Sequence, residues 1–226
     1  MSALVWDNSG DRMFETGVDH CVLYPYNATL RQYENGVAWN GITGITNSPE
    51  GAEPNDLWAD NIKYATLRSA ETFGATIEAY TYPDEFMECD GSASIPGVSG
   101  LHIGQQKRKN FGFSYRTKVG DDTDTDASKE KIHIIYNCTA SPSERAYETV
   151  NDSPDAITFS WEITTTPINI SGFKPTSEIV VDVWKLTSSQ KSALENMLYG
   201  STTLEPTLPP PDTLISLLQS ATITTN

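Results

Sequence analysis

Acidic residues that could hydrolyse a glycosidic bond lie close together in the sequence, among aromatic residues. The acids are Glu78, Asp84, Glu85 and Glu88, and they stand beside Tyr80, Tyr82 and Phe86. Glycoside hydrolases place two carboxylates on either side of the scissile bond, one as the acid and one as the base or nucleophile. Nothing in the sequence fixes the separation of any two of these carboxylates. A glycoside hydrolase therefore stays an alternative, and we predict a chain without catalytic residues.

A second acidic run resembles the start of a calcium-binding loop. Asp122, Asp124 and Asp126 have the spacing of the first ligands of such a loop. However, Ala127 stands where the loop needs glycine, and His133 stands where it needs a bidentate glutamate. The run therefore predicts a solvated acidic turn and no metal site, with weak divalent-cation binding left open.

The other residues that could carry chemistry are few. Histidine occurs at His20, His102 and His133 only. His20 precedes Cys21, but neighbouring residues of a strand point to opposite faces, so this pair does not predict a metal site. The motifs that hold nucleophiles, zinc, redox cysteine pairs or phosphates do not occur in the sequence. We therefore predict a protein that is not an enzyme and needs no cofactor.

The composition limits the classes of partner. The chain has 226 residues, with 15 Lys and Arg against 30 Asp and Glu, and a formal net charge of -15. Stable binding to nucleic acid needs clustered positive charge, so this balance opposes it. A mean hydropathy of -0.39, without an apolar run of about 20 residues, predicts no membrane span. Residues 1–10 do not resemble a secretory signal, so we expect synthesis in a cytosol, with Cys21, Cys89 and Cys138 as buried or half-buried thiols.

Alternating apolar and polar residues predict a mainly β fold. In residues 157–163 every second residue is apolar, which is the period-two signature of a strand buried on one side. Residues 111–116 repeat the pattern, with Gly112, Ser114 and Arg116 expected to face outwards. About seven short strands, separated by Gly, Pro, Asn and Asp clusters, predict a β-sandwich or barrel. From its composition, the stretch 47–61 is predicted to be a loop.

One helix is predicted near 187–199, where it should cover an open face or edge of the sheet. Thr187 and Gln190 fit a capping box, and Gly200 fits the position after the last turn. We therefore place a β-sandwich domain at 1–200 and a Pro-rich C-terminal arm at 201–226. The arm ends in a short apolar helix that packs either on its own subunit or on a neighbour.

Between the strands predicted at 74–82 and 111–119 lies a long segment whose two ends carry opposite charge. Its charged residues are Asp84, Glu85, Glu88 and Asp90 at the start and Lys107, Arg108 and Lys109 at the end. Long loops in compact domains are usually functional or disordered. Opposite charges on one loop can meet across a repeated head-to-tail interface, since such contacts generate filaments when they do not close. We predict a long hairpin loop that stacks one copy of the chain on the next, with a mobile solvated loop as the alternative.

Several stretches together carry a family resemblance. They are ETGVDHCVLYPY at 15–26, GVAWNG at 36–41, SPEGAEPNDLWADNIKY at 48–64, EAYTYPDEF at 78–86, GQQKRKNFGFSYRT at 104–117 and NDSPDAITFSWE at 151–162. In combination they resemble the major tail protein, or tail tube protein, of long-tailed, non-contractile phages that infect Gram-positive bacteria. The resemblance covers residues 14–218, and none of the stretches encodes chemistry.

The resemblance implies a β-sandwich with a flanking helix that assembles into stacked hexameric rings around a tape measure protein. It also implies tail terminator and distal tail proteins as partners, a place in the phage tail of the virion, and passage of DNA through the tube. Acidic residues that line the lumen would repel DNA, and the outward strand residues Glu78 and Glu162 are the candidates. Screening limits this repulsion to about 8 Å, so it prevents adhesion without driving the DNA.

A second class of function stays open. A β-sandwich with exposed aromatic rings can also be a carbohydrate-binding module. The candidate rings for such a surface are Trp39, Trp58 and Tyr82.

Overall fold

The computed structural model of the chain describes residues 4–98, 100–124, 126–147, 149 and 155–223. Over these residues the protein is mainly β, as the alternating patterns predict. The helices are α1 (Phe86–Cys89), α2 (Ser188–Tyr199) and α3 (Pro211–Ile223), and a 3-10 turn spans Val183–Lys185. The strands are β1 (Phe14–Asn27), β2 (Gln32–Tyr33), β3 (Val37–Ala38), β4 (Ile42–Asn47), β5 (Glu50–Gly51), β6 (Pro54–Ala59), β7 (Ile62–Arg68), β8 (Glu71–Thr72), β9 (Gly74–Ala79), β10 (Ala93–Ser94), β11 (His102–Ile103), β12 (Phe111–Gly120), β13 (Lys129–Ala140), β14 (Phe159–Thr165) and β15 (Glu178–Asp182).

Nine of the strands form one antiparallel sheet that folds over on itself. Its order is β2-β1-β12-β13-β14-β9-β4, with β15 also paired to β13 and β3 to β1. Leu23 and Phe113 from the β1–β12–β13 half share one buried cluster with Ile77 and Trp161 from the β14–β9–β4 half. The two halves of the sheet therefore face each other across an inner core.

An aromatic cluster fills the inner core. The ring centroids of Trp39 and Phe86 lie 4.4 Å apart, those of Phe86 and Trp161 lie 5.1 Å apart, and those of Trp39 and Trp161 lie 5.5 Å apart. Tilted and edge-on pairs of this kind contribute about 0.5–1.5 kcal/mol each beyond the burial of their area. Phe86 reaches the cluster from α1, so this short helix fixes the start of the charged segment 84–110 to the body.

Helices α2 and α3 cover the opposite face of the first half of the sheet. Ile132, Ile134 and Tyr136 of β13 form a second buried cluster with Leu194 and Leu198 of α2. The protein thus has an outer core between sheet and helices as well as the inner core between the two halves of the sheet.

This helical layer overturns part of the pattern predicted for β12. The expectation that Gly112 and Ser114 face outwards is wrong, because both are buried and Ser114 is 0% exposed. The Ser114 hydroxyl lies 3.3 Å from the Tyr24 hydroxyl, within hydrogen-bonding distance. Alternation identifies two faces of a strand, but it does not tell whether a second layer covers the more polar one.

Helix α2 begins and ends where the sequence predicts. The Gln190 N–H donates to the Thr187 hydroxyl at 3.3 Å, and the Thr187 N–H donates to the Gln190 side chain at 2.9 Å. These two hydrogen bonds are the capping box. Gly200 follows the last turn with a φ of 79°, which glycine adopts at little cost. Within the described residues, no helix is long and apolar enough to cross a bilayer.

The described part of the C-terminal arm packs on its own chain, which is one of the two placements predicted for it. Leu208 and Leu214 are buried in the outer core. The Thr207 N–H donates to the Met197 carbonyl at 2.8 Å. In the first turn of α3, Asp212 accepts hydrogen bonds of 3.0 and 2.8 Å from Ser171.

A two-stranded ribbon projects from the body between β4 and β9. We call residues 48–73 the β-arm; its strands β6 and β7 pair antiparallel and nearly all of their side chains are exposed. The predicted loop at 47–61 is therefore wrong over Glu50–Gly51 and Pro54–Ala59. Asp60 and Asn61 connect the strands with φ angles of 52° and 62°. Positive φ at both positions of a two-residue connection is typical of a type I′ hairpin turn, which Asn and Asp favour. This dipeptide was the hairpin signal within a composition typical of a loop.

Candidate functional site

The two charged ends of the predicted stacking segment meet within one chain. Arg108 Nη1 lies 3.3 Å from Asp90 Oδ1 and donates to the Ala140 carbonyl at 3.0 Å. Arg145 also donates to Asp90, whose side chain is 9% exposed. A carboxylate that accepts from two guanidinium groups forms strong, charge-assisted hydrogen bonds. Asp90 therefore joins the segment to β13 and to the stretch that follows it.

A second ion-pair cluster has the opposite arrangement, one cation between two carboxylates. Lys109 Nζ lies 3.0 Å from Glu34 and 3.3 Å from Glu88. Burial lowers the pKa of Lys109, but hydrogen bonds and charge from the two carboxylates outweigh burial and raise it overall. Lys109 therefore stays charged and joins the end of the segment to its start at Glu88 and to Glu34.

These contacts divide the predicted stacking residues into two groups. Glu88, Asp90, Arg108 and Lys109 are paired within the chain. Asp84, Glu85 and Lys107 are exposed, and none of them makes an ion pair with another described residue. The charges that remain available to a partner are thus fewer than the sequence predicts.

The middle of the segment carries a hairpin of its own. Strands β10 and β11 pair antiparallel. Around them Val98, Leu101 and Ile103 are exposed. The segment thus presents a small apolar edge next to its unpaired charges.

The β-arm presents a larger apolar surface. Its exposed apolar residues are Leu57, Trp58, Ile62, Tyr64 and Leu67, with Trp58 68% exposed. Exposed apolar groups gathered on one element mark an interaction surface. The ribbon itself is held by Asp56, which lies 2.8 Å from Lys63 and accepts from the Thr66 hydroxyl at 2.8 Å. The apolar side chains of the arm are therefore available for a partner.

The outer face of the second half of the sheet is polar and carries only negative charge. Strands β4, β9 and β14 contain no lysine or arginine. Glu78 pairs in register with Ser160, and Glu162 pairs with Thr76, so both exposed glutamates lie on this face. We call this surface the polar wall; its outward residues are Thr46, Thr76, Glu78, Ser160, Glu162 and Thr164. The two candidate lumen acids therefore share one surface, opposite the face that packs on the inner core.

Two of the aromatic residues beside the acids of the alternative hydrolase lie away from Glu78. Phe86 and Tyr82 pack on the inner core, whereas Glu78 lies on the polar wall. No group of three or more His, Cys, Asp or Glu residues within the described ranges is arranged to hold a metal ion.

The acidic turn that resembles a calcium loop is closed by its own hydrogen bonds. The Asp121 carboxylate accepts from Lys129 at 2.7 Å and from the backbone N–H groups of Thr123 and Asp124 at 2.9 Å each. These bonds, that from Lys129 above all, hold the pKa of Asp121 well below its usual range. Asp122 accepts from the Gly10 N–H at 2.8 Å. The anchoring residue is thus Asp121, which the calcium pattern does not include.

The histidine and cysteine candidates have structural partners. The His133 ring stacks on Tyr115 at 4.6 Å and lies 3.4 Å from Glu15 and 3.3 Å from Glu178. His20 Nδ1 lies 2.8 Å from Arg116. The three cysteines are free and buried, as predicted, and burial raises the pKa of the Cys21 thiol to about 12. Such a thiol is a poor nucleophile, because the thiolate is the reactive form.

The aromatic rings proposed for carbohydrate binding do not form one surface. Trp39 is 3% exposed and donates its Nε1–H to the Thr81 carbonyl at 2.8 Å, so the expectation that it is exposed is wrong. Tyr82 is half-buried against Phe159 and Trp161. Of the three predicted rings, Trp58 is the one on the surface.

Comparison with known proteins gives structural similarities of low score. No family model and no curated protein matches the chain. It is similar to a chain in the cryo-EM structure of the anti-feeding prophage (AFP) baseplate, 6-fold symmetrised, with a TM-score of 0.35, 8% identity, and coverage of 82% of this chain and 100% of that chain. It is also similar to a chain in the cryo-EM structure of an extracellular contractile injection system, PVC sheath/tube terminator in extended state, with a TM-score of 0.31, 8% identity, and coverage of 79% and 99%. Neither similarity assigns a function to this chain.

Proposed function

We propose that this chain is a structural subunit that polymerises head to tail into stacked, hexameric rings and forms the tail tube of a long-tailed phage. The observation that carries the proposal is the β-arm, which leaves the body and holds five large apolar side chains in water. Burial of apolar surface contributes about 25 cal/mol per Å². Docking the arm on another copy therefore favours self-association, and a repeated head-to-tail contact that does not close adds copies along an axis.

The polar wall supports the second half of the proposal, a conduit for DNA. A surface that DNA passes without binding must lack the positive charge that releases counterions from phosphates. The wall carries Glu78 and Glu162 with threonine, serine and no basic residue. We therefore assign this face to the lumen and the helical layer of α2 and α3 to the outside of the tube.

The remaining parts of the proposal follow from the sequence resemblance. The subunit surrounds a tape measure protein during assembly and meets the tail terminator and distal tail proteins at the two ends of the tube. It is made in the host cytoplasm and resides in the virion tail. The tube acts mechanically, without enzymatic activity.

Electron microscopy of the purified chain tests the proposal. The chain should form stacked rings or tubes in negative stain and a concentration-dependent fast-sedimenting species in the ultracentrifuge. Ile62→Ser, Tyr64→Ser and Leu67→Ser combined on the arm should abolish assembly and leave the thermal unfolding of the body unchanged. Leu30→Ser, Tyr147→Ser and Phe173→Ser combined is the matched control, because these residues are also exposed and apolar but lie off the arm. A wild-type chain that stays monomeric at millimolar concentration overturns the proposal.

One observation favours a second candidate function, carbohydrate binding through Trp58. Its indole is exposed at the end of the arm near the hairpin turn, where a sugar ring could stack on it. A carbohydrate-binding protein would show saturable binding to a glycan array that Trp58→Ala removes. The same array shows no binding if the arm is an assembly element.

A further inference from the structure

An apolar cleft lies between β1, β3 and the C-terminal end of α2. Its volume is about 320 Å³, at the lower end of the range of about 300–1,000 Å³ for small-molecule pockets. Its apolar lining residues are Cys21, Val22, Ala38, Trp39, Leu198 and Pro206, and His20 and Asn40 add polar groups. An apolar pocket with polar groups around it is the anatomy of an interface hot spot, in which one large side chain is anchored.

The cleft and the β-arm lie at opposite ends of the body. The arm joins β9 at Gly74, where the Ser48 N–H donates to the Gly74 carbonyl at 2.8 Å. The cleft lies beside the other end of β9, because its residue Trp39 donates to the Thr81 carbonyl. A strand rises about 3.3 Å per residue, so β9 from Gly74 to Ala79 spans roughly 16 Å. An apolar arm at one end of the body and an apolar cleft at the other can together form a head-to-tail contact between two copies.

Within one chain the two halves do not meet. Trp58 is 68% exposed, and the cleft is lined by residues of β1, β3 and α2 and by their neighbours, without a residue of the arm. The occupant that the chain itself offers is therefore the arm of a second copy. Among the exposed arm residues, tryptophan is the type most enriched at hot spots, since it buries a large area and keeps an N–H for a polar rim.

We propose that Trp58 of one copy inserts into this cleft of the next copy along the tube. The inference rests on the proposed function and identifies the acceptor surface for the arm. Trp39 and Leu198 form the apolar floor, Ala38 leaves the space that the indole fills, and Asn40 at the rim is placed to accept the indole N–H. One such contact per subunit adds copies in a single direction.

Site-directed crosslinking tests the contact directly. One chain carries Ala59→Cys next to an intact Trp58, a second carries Ala38→Cys, and the two are mixed with a short bis-maleimide crosslinker. The native cysteines are buried, so the introduced thiols react first. We expect the mixture to yield at least tenfold more covalent dimer than either chain alone. The matched control pairs Ala59→Cys with Lys174→Cys, which lines a groove at the base of the arm and should give only the background yield.

Two substitutions separate this inference from the proposed function. Ala38→Trp fills the cleft from its own chain, and it should raise the concentration needed for assembly at least tenfold, as Trp58→Ala should. The double variant Ala38→Trp, Trp58→Ala should need no higher concentration for assembly than either single variant, because both changes remove the same contact. Ala38→Ser is the control and should assemble like the wild type; circular dichroism melting checks the fold of each variant.

The possible outcomes are distinct. Assembly of the wild type and of Ala38→Trp at the same concentration, without the mixed crosslink, overturns this inference and leaves the proposed function standing. A crosslink with Lys174→Cys instead places the arm in the groove at its own end and also overturns the inference. A wild-type chain that never assembles removes the proposed function and the inference together.

Discussion

Leu208 packs directly on Gly112, in the space that the β-carbon of any other residue at position 112 would need. The Tyr33 ring closes the same space from another side at 3.0 Å. The Pro-rich segment after α2 is therefore fastened to the middle of β12 through a contact that requires glycine. This contact, together with Leu214, explains why the C-terminal arm lies on its own subunit.

Gly112→Ala should destabilise the fold by about 1–3 kcal/mol, because the added methyl group overpacks the outer core. Chemical denaturation followed by tryptophan fluorescence measures the change. Gly104→Ala is the control, since nothing lies within 4 Å of a β-carbon there. Leu208→Ala combined with Gly112→Ala should cost less than the sum of the two single changes. Additive costs would show that the two residues do not share the space.

Arg108→Glu and Lys107→Glu should behave differently although they lie side by side. Arg108 is paired with the largely buried Asp90, so its reversal should cost about 3 kcal/mol of stability. Lys107 is exposed without an ion pair among the described residues, and its reversal should change stability by less than about 0.5 kcal/mol. If the segment stacks copies, Lys107→Glu should still raise the concentration needed for assembly. Thermal melting and sedimentation together separate the two effects, and unchanged assembly of Lys107→Glu would count against the stacking role.

Glu78→Lys combined with Glu162→Lys should make the assembled tube retain DNA. Two positive charges per subunit on the polar wall would release counterions from phosphates, so retention should weaken steeply as salt is raised. Fluorescence anisotropy of a labelled oligonucleotide measures the binding. Glu195→Lys with Glu205→Lys makes the same change in net charge on the helical side and should retain much less DNA. Equal retention by both pairs would show that the polar wall does not line the lumen.

Acid should destabilise the fold through Asp121. A carboxylate whose pKa is lowered in the folded state contributes stability above its ordinary value, here 3.8, and loses it as the pH falls through the folded value. Asp121→Asn should therefore melt at a lower temperature than the wild type at pH 7, and the difference should shrink as the pH falls below about 4. Asp84→Asn, at an exposed position without an ion pair among the described residues, should melt like the wild type throughout. A difference that is constant from pH 7 to pH 2 would contradict this role.

The sequence predicts those elements whose signals are local. The capping box at Thr187 and Gln190 and the glycine at position 200 define α2 correctly, because each contact joins residues a few positions apart. The alternation in residues 111–116 identifies β12 and its apolar face for the same reason. The mainly β class follows from many such short patterns, and it needs no knowledge of which strands pair.

The elements that the sequence misses depend on distant partners. Composition predicts a loop at Pro54–Ala59, yet pairing with β7 makes it a strand. As a candidate sugar-binding ring Trp39 is expected on the surface, yet α1 brings Phe86 against it. The sequence gives no sign that Arg145, far along the chain, completes an ion-pair cluster around Asp90 within one copy. These contacts join residues that are far apart in the sequence, so local patterns do not predict them.

The two roots of the β-arm are neighbours, because Asn47 and Ala75 are register partners on β4 and β9. A short turn could close the body at that point, so lengthening, shortening or rewriting the arm leaves both cores intact. The sequence of the β-arm can therefore change independently of the sequence of the body. If the arm joins copies as proposed, a few substitutions at its tip change which copies it binds and leave the body unaltered.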